Sequence, residues 1–232
     1  MLLKKDLKDD KLTREEYLTA VYIDFEGEGQ SIDDELKMPH MIGEFTPSLD
    51  RAKYSAVFFK KEWKPLANGF GASHNASVRL FEEYVFDLKS RAYQDGRKIV
   101  SWSSHERKIL KYFLNDELFK EIDCVLHNLL PPAKRYCARK RLRLEGDQRP
   151  KKLEEYYSLI FPNSAPQPEL QIGAAESCRR IDRYCVRNAR WRHFSDEQKR
   201  TSEKLLDYNK GDCRSAYKIA RKVSNSRAVS QD

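Results

Sequence analysis

No stretch of this chain approaches the run of about 18 apolar residues that a membrane-crossing helix needs. Met1-Leu2-Leu3 is followed at once by Lys4-Lys5-Asp6, so the apolar core of a signal peptide is missing as well. Together these absences predict a protein without membrane contact that stays in the cytoplasm. Cysteine is sparse. The five thiols, Cys124, Cys137, Cys178, Cys185 and Cys213, are odd in number and scattered, and no pair has CxxC spacing. That argues against a disulfide framework and against a thiolate zinc site. His40, His74, His127 and His193 stand at no ligand spacing. Glycine and proline number nine each, and there is no internal repeat and no low-complexity tract, which excludes solenoid and fibrous classes.

What the chain has in quantity is charge. Charged residues make up 34% and apolar residues 40%, with 44 Lys+Arg against 36 Asp+Glu and a net charge of +8. A basic balance favours a polyanion, nucleic acid above all. Net charge alone is equally compatible with a basic protein that never meets nucleic acid. At 232 residues the chain can fill one sizeable α/β domain or two small ones.

Residues 1–15 read as a charged N-terminal arm, and 16–223 as the folded domain. Leu18 to Glu26 reads as a strand with Ala20, Tyr22, Asp24 and Glu26 on one face and Val21, Ile23 and Phe25 on the other. Met38 to Phe45 and Tyr54 to Phe59 read as the second and third strands. Asn68-Gly69-Phe70-Gly71 breaks the chain, and Ser73 to Tyr93 reads as a helix. Lys98 to Trp102 is a short buried strand, Ser104 to Leu114 a helix, and Ile122 to Leu126 a fifth strand. Strands alternating with helices predict a parallel portion of the sheet. Residues 133–195 form a basic helical insertion, with helices over Lys151 to Phe161 and Glu176 to Trp191. Ser195 to Val223 is one long helix, or two broken near Gly211, and 224–232 read as a disordered tail.

Within this frame the acidic residues stand out. Asp24 and Glu26 lie in an apolar run, Tyr22-Ile23-Asp24-Phe25-Glu26-Gly27. Carboxylates are costly to bury and repel one another, so two on one face of a core strand need a cation. Glu106 follows a second apolar run, Ile99-Val100-Ser101-Trp102, and Tyr208 and Asp212 are four apart on the C-terminal helix, hence neighbours. Taken singly, Glu106 reads rather as a helix-start acid favoured by the helix dipole, and Tyr208 with Asp212 rather as a solvated helix face. Brought together, these groups make an oxygen-rich cage of the kind that Mg²⁺ or Mn²⁺ prefers. Two such ions roughly 4 Å apart can hold both oxygens of an in-line phosphoryl displacement.

The insertion supplies cations for a nucleic-acid backbone. Lys134, Arg135, Arg139, Lys140, Arg141 and Arg143 cluster in sequence, and Arg180, Arg183, Arg187 and Arg190 recur at helical steps. Tyr136, Tyr184 and Trp191 are interleaved with them, either to stack on unpaired bases or to face the core.

The order D-x-E on a first strand, an acidic residue after a later strand, and Y-x-x-x-D on a C-terminal helix resembles the DEDD superfamily of DnaQ-like exonucleases, in its tyrosine-bearing DEDDy branch. Ser104-His105-Glu106 and Tyr208-Asn209-x-x-Asp212 resemble the YprB-type predicted ribonuclease-H-like nucleases, a group associated with RecB-like nucleases and helicases. The resemblance runs from Thr19 to Val223. It implies an α/β domain with a ribonuclease-H-like mixed five-stranded sheet, three antiparallel strands followed by two parallel ones, flanked by helices. It implies a two-metal 3′–5′ exonuclease of DNA or RNA acting at a single-stranded 3′ end, with a helicase or nuclease as partner. Asp24, Glu26, Glu106 and Asp212 would be the ligands of two Mg²⁺ or Mn²⁺ ions, with Asp24 bridging them, and Tyr208 would position the attacking water. Glu106 departs from the commoner pattern, which has Asp after an Asn-x-x-Phe stretch. Asp123 resembles a strand aspartate that supports the site from outside. The rival readings are an endonuclease in the same fold and a non-catalytic nucleic-acid-binding module of a repair, recombination or mobile-element complex.

Overall fold

The computed structural model describes residues 12–28, 35–48, 52–165 and 170–228. A short helix, α1 (Arg14–Thr19), comes first. Thr13 caps it through a reciprocal pair: its hydroxyl accepts from the Glu16 amide, and Glu16 accepts from the Thr13 amide. Leu18 and Thr19, expected in the first strand, therefore belong to this helix, and the strand β1 is Val21–Glu26. Of the expected N-terminal arm, residues 1–11 lie outside the described residues, while Leu12 is buried and Arg14 bonds Asn225 at 2.8 Å.

In chain order there follow β2 (Met41–Thr46), β3 (Lys53–Phe58), α2 (Lys64–His74), β4 (Ser77–Val78), α3 (Phe81–Gln94), β5 (Ile99–Ser101), α4 (His105–Phe113) and α5 (Asp116–Asp123). Next come β6 (Leu126–Asn128), α6 (Leu130–Arg139), α7 (Leu153–Ile160), α8 (Ala174–Arg187) and α9 (Asp196–Ala228). The sheet is mixed and six-stranded, in the order β4-β3-β2-β1-β5-β6. β1, β2 and β3 pair antiparallel; β5 runs parallel to β1 and β6 to β5.

The sixth strand is β4, which pairs parallel with β3 and divides the helix expected over Ser73 to Tyr93. Asn75 ends α2 in the left-handed conformation (φ 47°, ψ 47°) and bonds Ser55 on β3, bringing Ser77 and Val78 to the sheet edge. Asn68-Gly69-Phe70-Gly71, read as a break, lies inside α2. Gly69 is needed there for packing: a Cβ would come within 2.4 Å of the Trp191 ring. The expected fifth strand is shifted, because Ile122 and Asp123 close α5 and pairing starts at Leu126. Asp123 accordingly bonds Arg107 at 2.5 and 2.7 Å and does not support the acidic residues.

Strand alternation divides the core. Val21, Ile23, Phe25, Ile42, Val57 and Ile99 pack under α3, α4 and α5. On the other face lie Ala20, Tyr22, Phe45 and Val100, under α6, α7 and the C-terminal half of α9, and Met41, Ala56 and Phe58, under α2, α8 and the N-terminal half of α9. α9 is one helix through Gly211 and includes 224–228, expected in a tail; Ser224 is buried. Among the described residues no helix is long and apolar enough to cross a membrane.

Candidate metal centre

The buried stripe of α9 changes chemistry midway. Leu205 and Leu206 belong to one apolar cluster and Cys213, Ala216 and Ile219 to another. Between them Asn209 and Asp212 are buried, Asn209 completely. α9 crosses β1 and β2 at this point, opposite the face on which residues two apart, Asp24 and Glu26, project together. The result joins the two ends of the sequence: Asp24, Glu26 and Asp212 each present a carboxylate oxygen, and these oxygens lie within 4.8 Å of one another. Glu106 stands beside this group in the first turn of α4 and raises the proton affinity of both Asp24 and Glu26. It is held there by the Ser103 amide and hydroxyl, which both donate to its Oε2 at 3.3 Å. Tyr208, half-buried, stands one turn before Asp212 and lowers the proton affinity of its carboxyl. All five residues singled out in the sequence meet at one place, Asp24, Glu26 and Asp212 as a tight group with Glu106 and Tyr208 beside it.

Two further residues set the geometry. The Asn209 side-chain amide donates to the Asp24 carbonyl at 3.1 Å and to Asp24 Oδ2 at 2.7 Å, while its own oxygen accepts from the Tyr54 hydroxyl at 2.8 Å. Gly43 pairs with Asp24 across the β1–β2 ladder, and a Cβ at Gly43 would fall 1.7 Å from the Asn209 oxygen. Glycine in the middle of a strand often marks such a close approach, which was the available sequence signal for both residues.

The electrostatics are those of acids without counterions. Burial raises the Asp24 carboxyl well above its ordinary value, and Glu26, Asp212 and Glu106 push it further. Burial likewise raises Glu26 to about 7 and Glu106 to about 7, and lifts Asp212 with Glu26 adding to the effect. Asp24 and Glu26 act on each other as well as being buried, and both carboxyls are raised. None of the four pairs with a lysine or arginine among the described residues. Four acids with only oxygen donors and no internal cation suit a hard divalent ion.

Against protein-family models, curated proteins and solved structures, the chain finds no match.

A second acidic group, Glu28, His40 and Asp182, is built differently. The Lys37 ammonium bonds Glu28 at 2.9 Å, the Lys60 ammonium contacts Asp182, and the Trp63 indole N–H donates to Asp182 at 2.6 Å. Its carboxylates already have counterions. Burial lowers the His40 pKa, and its Nδ1 is buried without a partner. A metal on Nε2 would force an unsatisfied N–H onto that nitrogen, so this group is an ion-pair network.

The expected nucleic-acid contacts divide. Lys134, Arg135 and Arg139 are exposed on α6. On α8, Glu176 gathers Arg179, Arg180 and Arg183 at 2.9, 3.2 and 3.3 Å. Arg187 is the last residue of α8, and Arg190 lies beyond it because Asn188 leaves the helical conformation, so the stripe loses its final member. The interleaved aromatics face inward: Tyr136 is core, Tyr184 packs on the cluster under α8, and Trp191 stacks with Phe70 at 4.8 Å.

Proposed function

We propose that this chain is a metal-dependent phosphodiesterase of ribonuclease-H-like architecture, trimming DNA or RNA from the 3′ end. One observation carries the reading: carboxylates from a first strand and a last helix converge within 4.8 Å, with Glu106 beside them and no protein cation among them. Asp24, Glu26, Glu106 and Asp212 would hold two Mg²⁺ or Mn²⁺ ions, which when bound acidify a water and steady the attacking and leaving oxygens.

The chain's own groups do the rest. Asn209 fixes one Asp24 oxygen and leaves the other free to ligate. Ser103 fixes Glu106 in the same way. Burial, followed by Asp212 and Glu26, raises the Tyr208 pKa in the metal-free site. Tyr208 would orient a water or a phosphate oxygen by hydrogen bonding. The low-dielectric walls strengthen each of these interactions.

The test is Mn²⁺-dependent release of mononucleotides from a labelled oligonucleotide. Asp24→Ala and Asp212→Ala lower the rate on the order of 10³-fold or more, with the near-UV spectrum of the folded protein unchanged. A wild-type protein that binds the oligonucleotide yet never shortens it with either metal overturns the reading in favour of a binding module. Cutting that persists on a blocked 3′ end makes it an endonuclease.

A further inference from the structure

We propose that the groove between α8 and α9 is a track for the phosphodiester backbone of a nucleic-acid strand whose reacting end lies at the carboxylate group. The proposal rests on the phosphodiesterase reading and adds a binding site built from residues outside the acidic centre.

Two cavities have Leu170 in common. One, of about 660 Å³, is lined by Tyr208 together with Lys152, Tyr157 and Phe161, and by the acids Glu154 and Glu155. The other, of about 190 Å³, is lined by Arg180 of α8 and by Arg200 and Lys204 of α9, with Glu197 as its one acid among the described residues. Leu170 lines both, so the cavity beside Tyr208 and the basic groove are neighbours.

Helix geometry sets the spacing. Arg200, Lys204, Tyr208 and Asp212 are four apart in sequence, so each is the neighbour of the next, each step rising about 6 Å and turning about 40° around α9 from the exposed cations toward buried Asp212. Lys204 thus stands about 12 Å from Asp212 along the helix, and Arg200 about 18 Å. A stacked strand carries one phosphate per about 3.4 Å, so the track spans about five nucleotides. Arg200 and Lys204 are exposed and have no ion pair or hydrogen bond among the described residues. Arg179, Arg180 and Arg183, by contrast, are held by Glu176, so the groove's unpaired cations are the two on α9. Two cations without a partner among the described residues, in a groove beside the cavity that Tyr208 lines, match a backbone approaching the acidic centre. The separation also has a purpose: like charges in the centre repel phosphate, and at about 12–18 Å the screened field of the acids no longer cancels the attraction.

The test uses the full chain with Ca²⁺ in place of a catalytic ion, and 12-nucleotide dT and U oligomers followed by fluorescence anisotropy across a salt series. Both groups replaced in Arg200→Gln/Lys204→Gln are exposed, so the fold is retained. The expected result is weaker binding on the order of 10-fold and a loss of about 1.4 from the log–log salt slope, about 0.7 for each contact on a single strand. Glu197→Gln, which removes the lining acid, shifts affinity the opposite way. Under Mn²⁺, the double variant slows cleavage of the 12-mer through KM and leaves cleavage of a dinucleotide unchanged. Unchanged affinity and slope in the double variant, while the wild type binds and cuts, overturns the track and spares the phosphodiesterase. Binding that depends on Arg200 and Lys204 in a protein that never cuts supports the track and overturns the phosphodiesterase.

Discussion

Two buried carboxylate sites lie back to back on the same strand pair. Glu44 of β2 faces α3; its carboxylate accepts from Arg91 at 2.7 and 2.8 Å and from the Tyr84 hydroxyl at 2.6 Å. Burial pushes its carboxyl up, but the Arg91 bonds and charge outweigh burial and leave it below the ordinary value. Asp24, opposite Gly43 one residue earlier in the register, faces α9 with three other acids and no cation, and its carboxyl is raised. The same sheet therefore supplies a fitted arginine to one acid and none to four. A buried acid kept for structure carries its counterion within the chain, whereas the group under α9 has the form of a site whose counterion comes from solution.

Exchanging charge for a neutral isostere breaks the comparison most sharply. Asp24→Asn abolishes hydrolysis, yet raises the melting temperature of the metal-free protein because it removes repulsion. Glu44→Gln does the reverse: it costs about 1–3 kcal/mol of stability, at the low end for a buried pair because Arg91 is half exposed, and leaves the activity of the folded fraction intact. Thermal melts beside oligonucleotide cleavage decide the pair.

The pH dependence sharpens the contrast. Glu26 and Glu106 have ordinary values of 4.5 and folded values of about 7. The folded state holds their protons more tightly, so their contribution to stability is full below about pH 4.5 and is lost as pH rises through about 7, on the order of 3 kcal/mol for one such site. Glu44, with a lowered value, contributes in the opposite sense and loses its contribution on acidification. Chemical denaturation in chelator from pH 5 to 8 should show falling stability, and saturating Mn²⁺ should remove the fall.

A smaller effect is expected from the residues that aim the site. Gly43→Ala drives a methyl group toward the Asn209 oxygen and should weaken Mn²⁺ affinity about 10–100-fold, the range for groups that orient metal ligands. Tyr54→Phe, which removes one bond to Asn209, should have less effect than that. Equal metal affinity in Gly43→Ala and wild type would show that Asn209 does not control Asp24.

The residues of the acidic group were legible because their constraints are local. Residues two apart on a strand, or four apart on a helix, share a face whatever the rest of the chain does, and carboxylates amid Ile23 and Phe25 conflict with burial unless something binds them. What was not legible depended on distant partners. Gly69 looks like a turn until Trp191 is known to lie on it. Asp123 looks like a strand residue until Arg107 pairs with it. β4 is two residues long and exists only because β3 offers it an edge. Asn209 sat inside the Y-x-x-x-D motif unassigned, since its partners, Asp24 and Tyr54, are 185 and 155 residues away.

Calorimetric titration of Mn²⁺ into the metal-free protein tests the central claim most directly. Two ions should bind to the wild type and to Glu44→Gln, with protons released as Asp24, Glu26 and Glu106 ionise, and binding should collapse in both Asp24→Asn and Asp212→Asn. Wild-type protein that takes up no ion, or takes up ions equally well in those two variants, would contradict the account.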